Sequence, residues 1–198
     1  MSLLKFASDR AMLSDMLLFI VNIAFSLFGI ALIIRAWIYA IRLHPFNPYS
    51  QAIIRVTDWL IQPPHKLVRP GQRADWPALL ACWLTAFVFL LLTWVLITGQ
   101  LPAPASLLPA LLASFFTMLK WTFNLILWLT LIQAVLSWVN PLAPVMPVLH
   151  TLTAPLLDPI RRILPNLGGI DFSPLVLLVL AQIAMMGLSH VSFRLFGV

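Results

Sequence analysis

Thr153-Ala-Pro155-Leu-Leu-Asp158-Pro159-Ile-Arg161-Arg162-Ile-Leu-Pro165-Asn-Leu-Gly168-Gly169-Ile-Asp171-Phe-Ser-Pro174 decides the reading of this 198-residue chain. It holds the only adjacent arginines in a sequence that is 62% hydrophobic and 9% charged. A degraded copy lies 96 residues earlier. At that offset Pro48 falls on Pro144, Thr57 on Thr153, Leu60 on Leu156, Pro63 on Pro159, Asp75 on Asp171 and Leu84 on Leu180. His65-Lys66-Leu67-Val68 falls on Arg161-Arg162-Ile163-Leu164, so the order of basic then apolar residues is kept. An internal repeat settles architecture before any local reading does. One unit, an apolar helix followed by a basic connection and a second apolar helix, is used twice.

Composition fixes the class. Average proteins carry about 25% charged residues, and so few charges cannot cover a soluble surface. Long apolar runs then predict an all-α integral membrane protein with about four transmembrane helices from a parallel duplication and amphipathic interfacial helices in the connections. The first repeat is expected over 1–100, with spans at about 16–41 and 76–98 and a basic connection over 42–75. The second is expected over 101–198, with spans at about 116–139 and 172–191 and a connection over 140–171. Apolar character between Leu107 and Val139 is too long for one span of about 20 residues. Pro109 and Lys120 are expected to divide it, leaving Leu107 to Ser114 as an interfacial lead-in and Lys120 snorkelling near one end. Asp75 and Asp171, each followed closely by a proline, are expected to cap the second and fourth spans.

The net charge is +6, from 12 Lys and Arg against 6 Asp and no Glu. In a membrane chain a basic excess is first a topology signal. The first connection carries Arg42, Arg55, Lys66, Arg69 and Arg73, and the second carries Arg161 and Arg162. The connection between the repeats carries no charge. Both basic connections are therefore expected in the cytoplasm of a bacterial inner membrane protein, with both termini outside. Tandem units of two spans each return to their starting side, which requires the same arrangement. No direct nucleic-acid binding is expected, because the basic residues do not stand on a soluble fold with interleaved aromatics. The expected partners are membrane lipids and membrane or cytoplasmic proteins, with a homo-oligomer left open.

Ser50 to Gln62 has helical period, with Ile53, Val56, Leu60 and Ile61 on one side and Gln51, Arg55, Asp58 and Gln62 on the other. Pro147 to Leu164 is its counterpart. Pro63-Pro64 and Pro159 are expected to end these helices, and Pro155 to interrupt the second. His65-Lys66 and Arg161-Arg162 would then open a short second turn. His65, Lys66, Arg69, Arg161 and Arg162 are the candidate residues for binding partners or lipid. The plainer reading of the same residues is topology anchors that touch lipid phosphates. Gly168-Gly169 lacks the spacing and the Lys of a phosphate loop and reads as a turn. Pro155, Pro159, Pro165, Gly168, Gly169, Asp171 and Asp75 are the structural motif residues.

The run from Thr153 to Pro165, the Gly168 to Pro174 segment and Leu136-Ser137-Trp138 before them resemble the YggT family. So do Arg35-Ala36-Trp37 and Asn47-Pro48-Tyr49-Ser50-Gln51. The first copy departs from the motif, with His65-Lys66 in place of the arginine pair and no Gly-Ile pair in 71–74. What the resemblance implies is modest: small integral membrane proteins of bacteria and plastids with no established chemistry. Relatives are linked to osmotic or ion-stress tolerance, division-gene neighbourhoods, plastid nucleoid distribution and cytochrome assembly.

No catalytic, cofactor or metal residues are expected. All six aspartates lie in the tail, the connections or the span starts, and the four histidines lie near interfaces. A single cysteine, Cys82, sits in an apolar run and reads as a small buried residue. Within the spans Asn22, Ser26, Asn124, Thr130, Gln133 and Gln182 read as helix-to-helix glue. The sequence therefore suggests a non-catalytic membrane scaffold or assembly factor. The alternative is an oligomeric channel or transport component for ions or small solutes, linked to osmotic or ion-stress tolerance.

Overall fold

A computed structural model describes residues 2–42, 48–68, 70–71, 74–164 and 171–196; the side chains of 2–11, 63 and 65–67 are not among those described. The described residues form six α-helices and no strand: α1 (Ser2–Ala40), α2 (Pro48–Leu67), α3 (Trp76–Thr98), α4 (Pro104–Val139), α5 (Met146–Ile163) and α6 (Ser173–Phe196). Four of them are long and apolar enough to cross a membrane: Met12–Ala40, Trp76–Thr98, Pro104–Val139 and Ser173–Phe196. The molecule is an all-α multi-pass membrane protein of two tandem repeats.

Three local expectations are corrected. Pro109 and Lys120 do not divide the third span: α4 is one helix of 36 residues, about 54 Å at 1.5 Å per residue. Ala113 and Ser114 are buried in it, and Trp83 of α3 donates to the Leu111 carbonyl at 3.2 Å. The lead-in is thus the first part of the same helix, exposed at Leu107, Leu108 and Leu112 and buried only from Ala113. Second, α2 continues through Pro63-Pro64, and α5 through Pro155 and Pro159. Pro155 and Pro159 stand four apart on the exposed side of α5. The backbone bonds they remove, and any bend they cause, fall where water or headgroups can solvate the freed carbonyls. Third, Arg161 and Arg162 therefore lie in the last turn of α5 itself, where positive charge meets the negative end of the helix dipole.

Each end of α3 has a local cause. Asp75 is its N-cap and accepts the Ala78 amide at 3.2 Å, and Pro77 fills the first turn. Gly99 closes the helix in the left-handed conformation with φ 68°, its N–H reaching the Val95 carbonyl at 2.8 Å. A side chain would strain that φ.

Within each repeat the two spans pair, α1 with α3 and α4 with α6; α3 and α4 join the halves. The buried face of α3 is made of small residues, Ala78, Ala81, Cys82, Thr85 and Ala86. In a bilayer small residues let helix backbones approach, because lipid tails remove the hydrophobic drive between helices. Against them pack Leu32, Ile33 and Ala36 of α1, Ile61 of α2, and Trp121 and Leu125 of α4. Trp121 lies flat against Gly29, where any Cβ would enter its ring. Trp37, near the C-terminus of α1, donates its indole N–H to the Leu152 carbonyl of α5 at 3.0 Å. Ile38 packs beside Val148 and Leu152. These contacts cross between the repeats and put both interfacial helices, α2 and α5, at the same end of the bundle.

Candidate functional site

That end contains two junctions, one per repeat, where an interfacial helix is fastened to its spans. In the first, Arg35 of α1 reaches across to α2 and α3. Its Nη1 donates to Asp58 Oδ1 at 2.6 Å, Thr57 Oγ1 at 3.1 Å and the Ile54 carbonyl at 3.3 Å. Its Nε lies 3.6 Å from Asp75 Oδ2. The Arg35 side chain is 13% exposed and that of Asp75 6%. One guanidinium therefore holds the end of α1, the middle of α2 and the cap of α3 together, and the planar fork of arginine is suited to such divided duty. Tyr39 adds a bond from its hydroxyl to the Gly71 carbonyl at 2.9 Å.

In the second junction the same place in the span is taken by Gln133. Ile34-Arg35-Ala36 recurs as Ile132-Gln133-Ala134, two residues out of register with the 96-residue offset that relates the connections. The Thr153 hydroxyl, with one proton to give, lies within hydrogen-bond reach of both Gln133 Oε1 and the Leu149 carbonyl. Gln133 Nε2 lies 3.0 Å from His150 Nδ1. Thr57 and Thr153 thus occupy equivalent positions, both fully buried, and each takes the polar residue of the preceding span.

The aspartate of the second repeat finds its arginine elsewhere. Arg161 Nε donates to Asp171 Oδ2 at 2.8 Å, and Arg161 Nη1 to Asp158 Oδ1 at 3.4 Å. Asp171 Oδ1 also accepts the Ser173 amide at 2.9 Å, at the start of α6. Partial burial pushes its carboxyl up, but the Ser173 hydrogen bonds and the Arg161 guanidinium outweigh it and hold the group below the usual carboxylate range. The pair is exposed, at 36% and 41% of the two side chains.

The structure therefore separates the arginine pair. Arg161 is committed to two carboxylates, whereas Arg162 is exposed and has no ion pair among the described residues. His65 and Lys66 lie in the last turn of α2, but their side chains are outside the described ones. Arg69, Pro165, Gly168 and Gly169 lie outside the described residues. The sequence alone did not reveal the place of Arg35 in the first junction. The signal available was the polar residue between an isoleucine and an alanine near the end of the first span of each repeat. Among the described residues no three of His, Cys, Asp and Glu gather where they could hold a metal ion.

Four apolar spans in two repeats, each with an interfacial helix pinned by a buried threonine and a polar residue of the preceding span, define a duplicated membrane protein. The profile of the CCB3/YggT family matches residues 14–96 and 112–192, and the chain belongs to that family. It is 32% identical over 177 residues to the uncharacterized protein YggT of Escherichia coli strain K12, covering 88% of this chain and 90% of that one. It is 33% identical over 168 residues to an uncharacterized protein in the proC 3′ region of Vibrio alginolyticus, covering 84% of this chain and 89% of that one. An uncharacterized protein of Haemophilus influenzae is 35% identical over 167 residues, covering 84% and 87%. No solved structure matches the chain significantly.

Proposed function

We propose that the protein is a non-catalytic scaffold or assembly factor of the bacterial inner membrane, offering α2 and α5 on the cytoplasmic side to lipid headgroups and partner proteins. One observation carries this reading. Both interfacial helices are fastened to the spans at one end of the bundle, yet Arg55 of α2 and Arg162 of α5 stay exposed and without ion pairs among the described residues. The charges that fasten helices to one another are consumed in ion pairs, as those of Arg35 and Arg161 are. The charge balance of the connections supports the cytoplasmic assignment.

Two measurements test it. In a Cys82→Ser background, Ala103→Cys is expected to react with an impermeant thiol reagent from outside, and Arg162→Cys only after permeabilisation. Purified protein in liposomes is expected to add no flux of ions or small solutes over empty vesicles. Protein-dependent flux would replace the scaffold by the transport reading.

A further inference from the structure

A cleft of about 470 Å³ opens on the side of the first repeat, lined by Phe25 and Phe28 of α1, Leu84, Thr85 and Val88 of α3, and roofed by Trp59 of α2. The rings of Phe28 and Trp59 lie 5.5 Å apart. Both long walls are membrane spans, so the medium outside the cleft is hydrocarbon. The Thr85 hydroxyl already bonds the Ala81 carbonyl at 2.7 Å, which leaves water too few polar partners there, and an unfilled apolar void loses the contacts of its lining. The stretch of α3 along the cleft, Ala81 to Val88, is about 10 Å long at 1.5 Å per residue. One leaflet of hydrocarbon is about 15 Å deep. The cleft therefore fits the upper part of an acyl chain entering beneath an interfacial helix.

The rim carries the charge that a headgroup would meet. Trp59 and Val56 are exposed apolar residues of α2, on the flank turned away from buried Thr57 and Ile61. Arg55 is one helical turn from Trp59, between that flank and the polar side of Asp58 and Gln62. It is exposed and has no ion pair among the described residues, while the nearby Asp58 is taken by Arg35. At this border a guanidinium reaches the level of lipid phosphates, and a Trp ring sits where chains meet headgroups.

We propose that this cleft is a binding site for one anionic phospholipid, with an acyl chain between α1 and α3 under Trp59 and the phosphate held by Arg55. The site rests on the scaffold reading only for the placing of α2 at an anionic leaflet. In the second repeat Pro155 stands at the Trp59 position and Thr151 at the Arg55 position, so the site belongs to the first repeat alone.

The test reconstitutes the full chain with phosphatidylglycerol or phosphatidylcholine carrying a photoreactive diazirine in the acyl chain, and maps the adducts by mass spectrometry. Phosphatidylglycerol is expected to label Phe25, Leu84 and Val88 above the lipid-facing residues Ile97 and Phe193, and phosphatidylcholine to label them several-fold less. Arg55→Ala should reduce the preference for the anionic lipid about five-fold, the effect of one basic residue at such a surface, and Arg55→Lys should keep most of it. Val88→Trp, or Leu84→Trp should the first not insert, should fill the cleft and remove its labelling. Even labelling of all lipid-facing residues overturns the site, as does a headgroup preference that survives Arg55→Ala. Protection of the cleft by a second copy, seen as a dimer crosslink through Val88→Cys, also overturns it. Solute flux through liposomes would end the scaffold reading and leave this labelling pattern unchanged, so the two fail separately.

Discussion

The two junctions solve one problem with different chemistry. In the first, a charge buried in the bundle binds three helices; in the second, that place is neutral and the charge has moved to the exposed end of α5. Asp75 and Asp171 are equivalent aspartates, each opening a span and each beside an arginine, yet the arginine comes from α1 in one case and α5 in the other. A buried ion pair is hard to dispense with once present, because removing one partner strands the other without water. An exposed pair is replaceable at little cost. The duplication has therefore left one repeat with a rigid electrostatic clamp. The other has a hydrogen-bonded clamp and an arginine pair that stays near the surface.

The largest expected effect is on the first clamp. Arg35→Ala leaves Asp75 nearly enclosed without a partner, and the loss should be about 3–5 kcal/mol. Reversible unfolding in detergent measures it. Arg35→Gln with Asp75→Asn, which imitates the neutral state of the second repeat, should recover a large part of that loss. A cost for Arg35→Ala below about 1 kcal/mol, the range of exposed pairs, would erase the contrast between the junctions.

Next in size is the neutral clamp. Gln133 is 3% exposed, and Gln133→Ala removes the partner of both Thr153 and His150. Thr153 keeps its bond to the Leu149 carbonyl at 2.9 Å, so the expected cost is about 1–2 kcal/mol, the scale of a lost buried hydrogen bond. Gln133→Glu sharpens the comparison, since it buries a carboxylate at a 3% exposed position that the first repeat fills with a guanidinium, and it should cost more than the alanine. A glutamate tolerated as well as the native glutamine would show that water or the neighbouring His150 compensates the charge.

The sequence made the spans and the repeat legible because they depend on long apolar runs and on an offset shared by many residues. The cap at Asp75 was legible because an aspartate before a proline-bearing helix start has few other uses; Asp171 stands one residue further out and takes the Ser173 amide that opens α6. The continuity of α2, α4 and α5 through their prolines was not. A proline removes one backbone bond and crowds the carbonyl four residues earlier. Whether that ends a helix depends on packing on its other faces, as where Thr153 and Leu157 of α5 are buried opposite Pro155 and Pro159. The Arg35 junction was hidden for a related reason. Its partners are 19 to 40 residues away in the chain, and the register of the first span of each repeat differs by two from that of the connections. Arg161 and Arg162 were legible as a pair, but only the coordinates divide them.

That division gives a smaller effect, in binding more than in stability. Arg161→Ala should cost no more than about 1 kcal/mol, because Asp158 and Asp171 are exposed enough to be hydrated. Arg162→Ala should leave stability unchanged and weaken association with anionic vesicles or a crosslinked partner. If the two substitutions prove equal in both assays, the pair acts as a single patch of charge. Arg162→Lys separates recognition of geometry from simple attraction, since it keeps the charge and loses the fork.

The smallest effect concerns acid. Asp171 is held below its usual range, so the folded protein keeps this carboxylate ionised at a pH where the unfolded chain begins to take up a proton. The sign follows from linkage: the pair's contribution is present above the ordinary Asp value of about 3.9 and is lost as pH falls through the lowered one. Comparing the parent with Asp171→Asn by detergent unfolding should show a constant difference near neutrality that shrinks only in that acidic window. Salt should reduce it as well, since the pair is exposed to solvent. Asparagine keeps an oxygen for the Ser173 amide, so a difference that persists below the window, or resists salt, would mean that the charge of the pair is not what Asp171 contributes. Arg161 would then rest on Asp158 alone, at 3.4 Å, and the second junction would hold its arginine by one exposed pair instead of two.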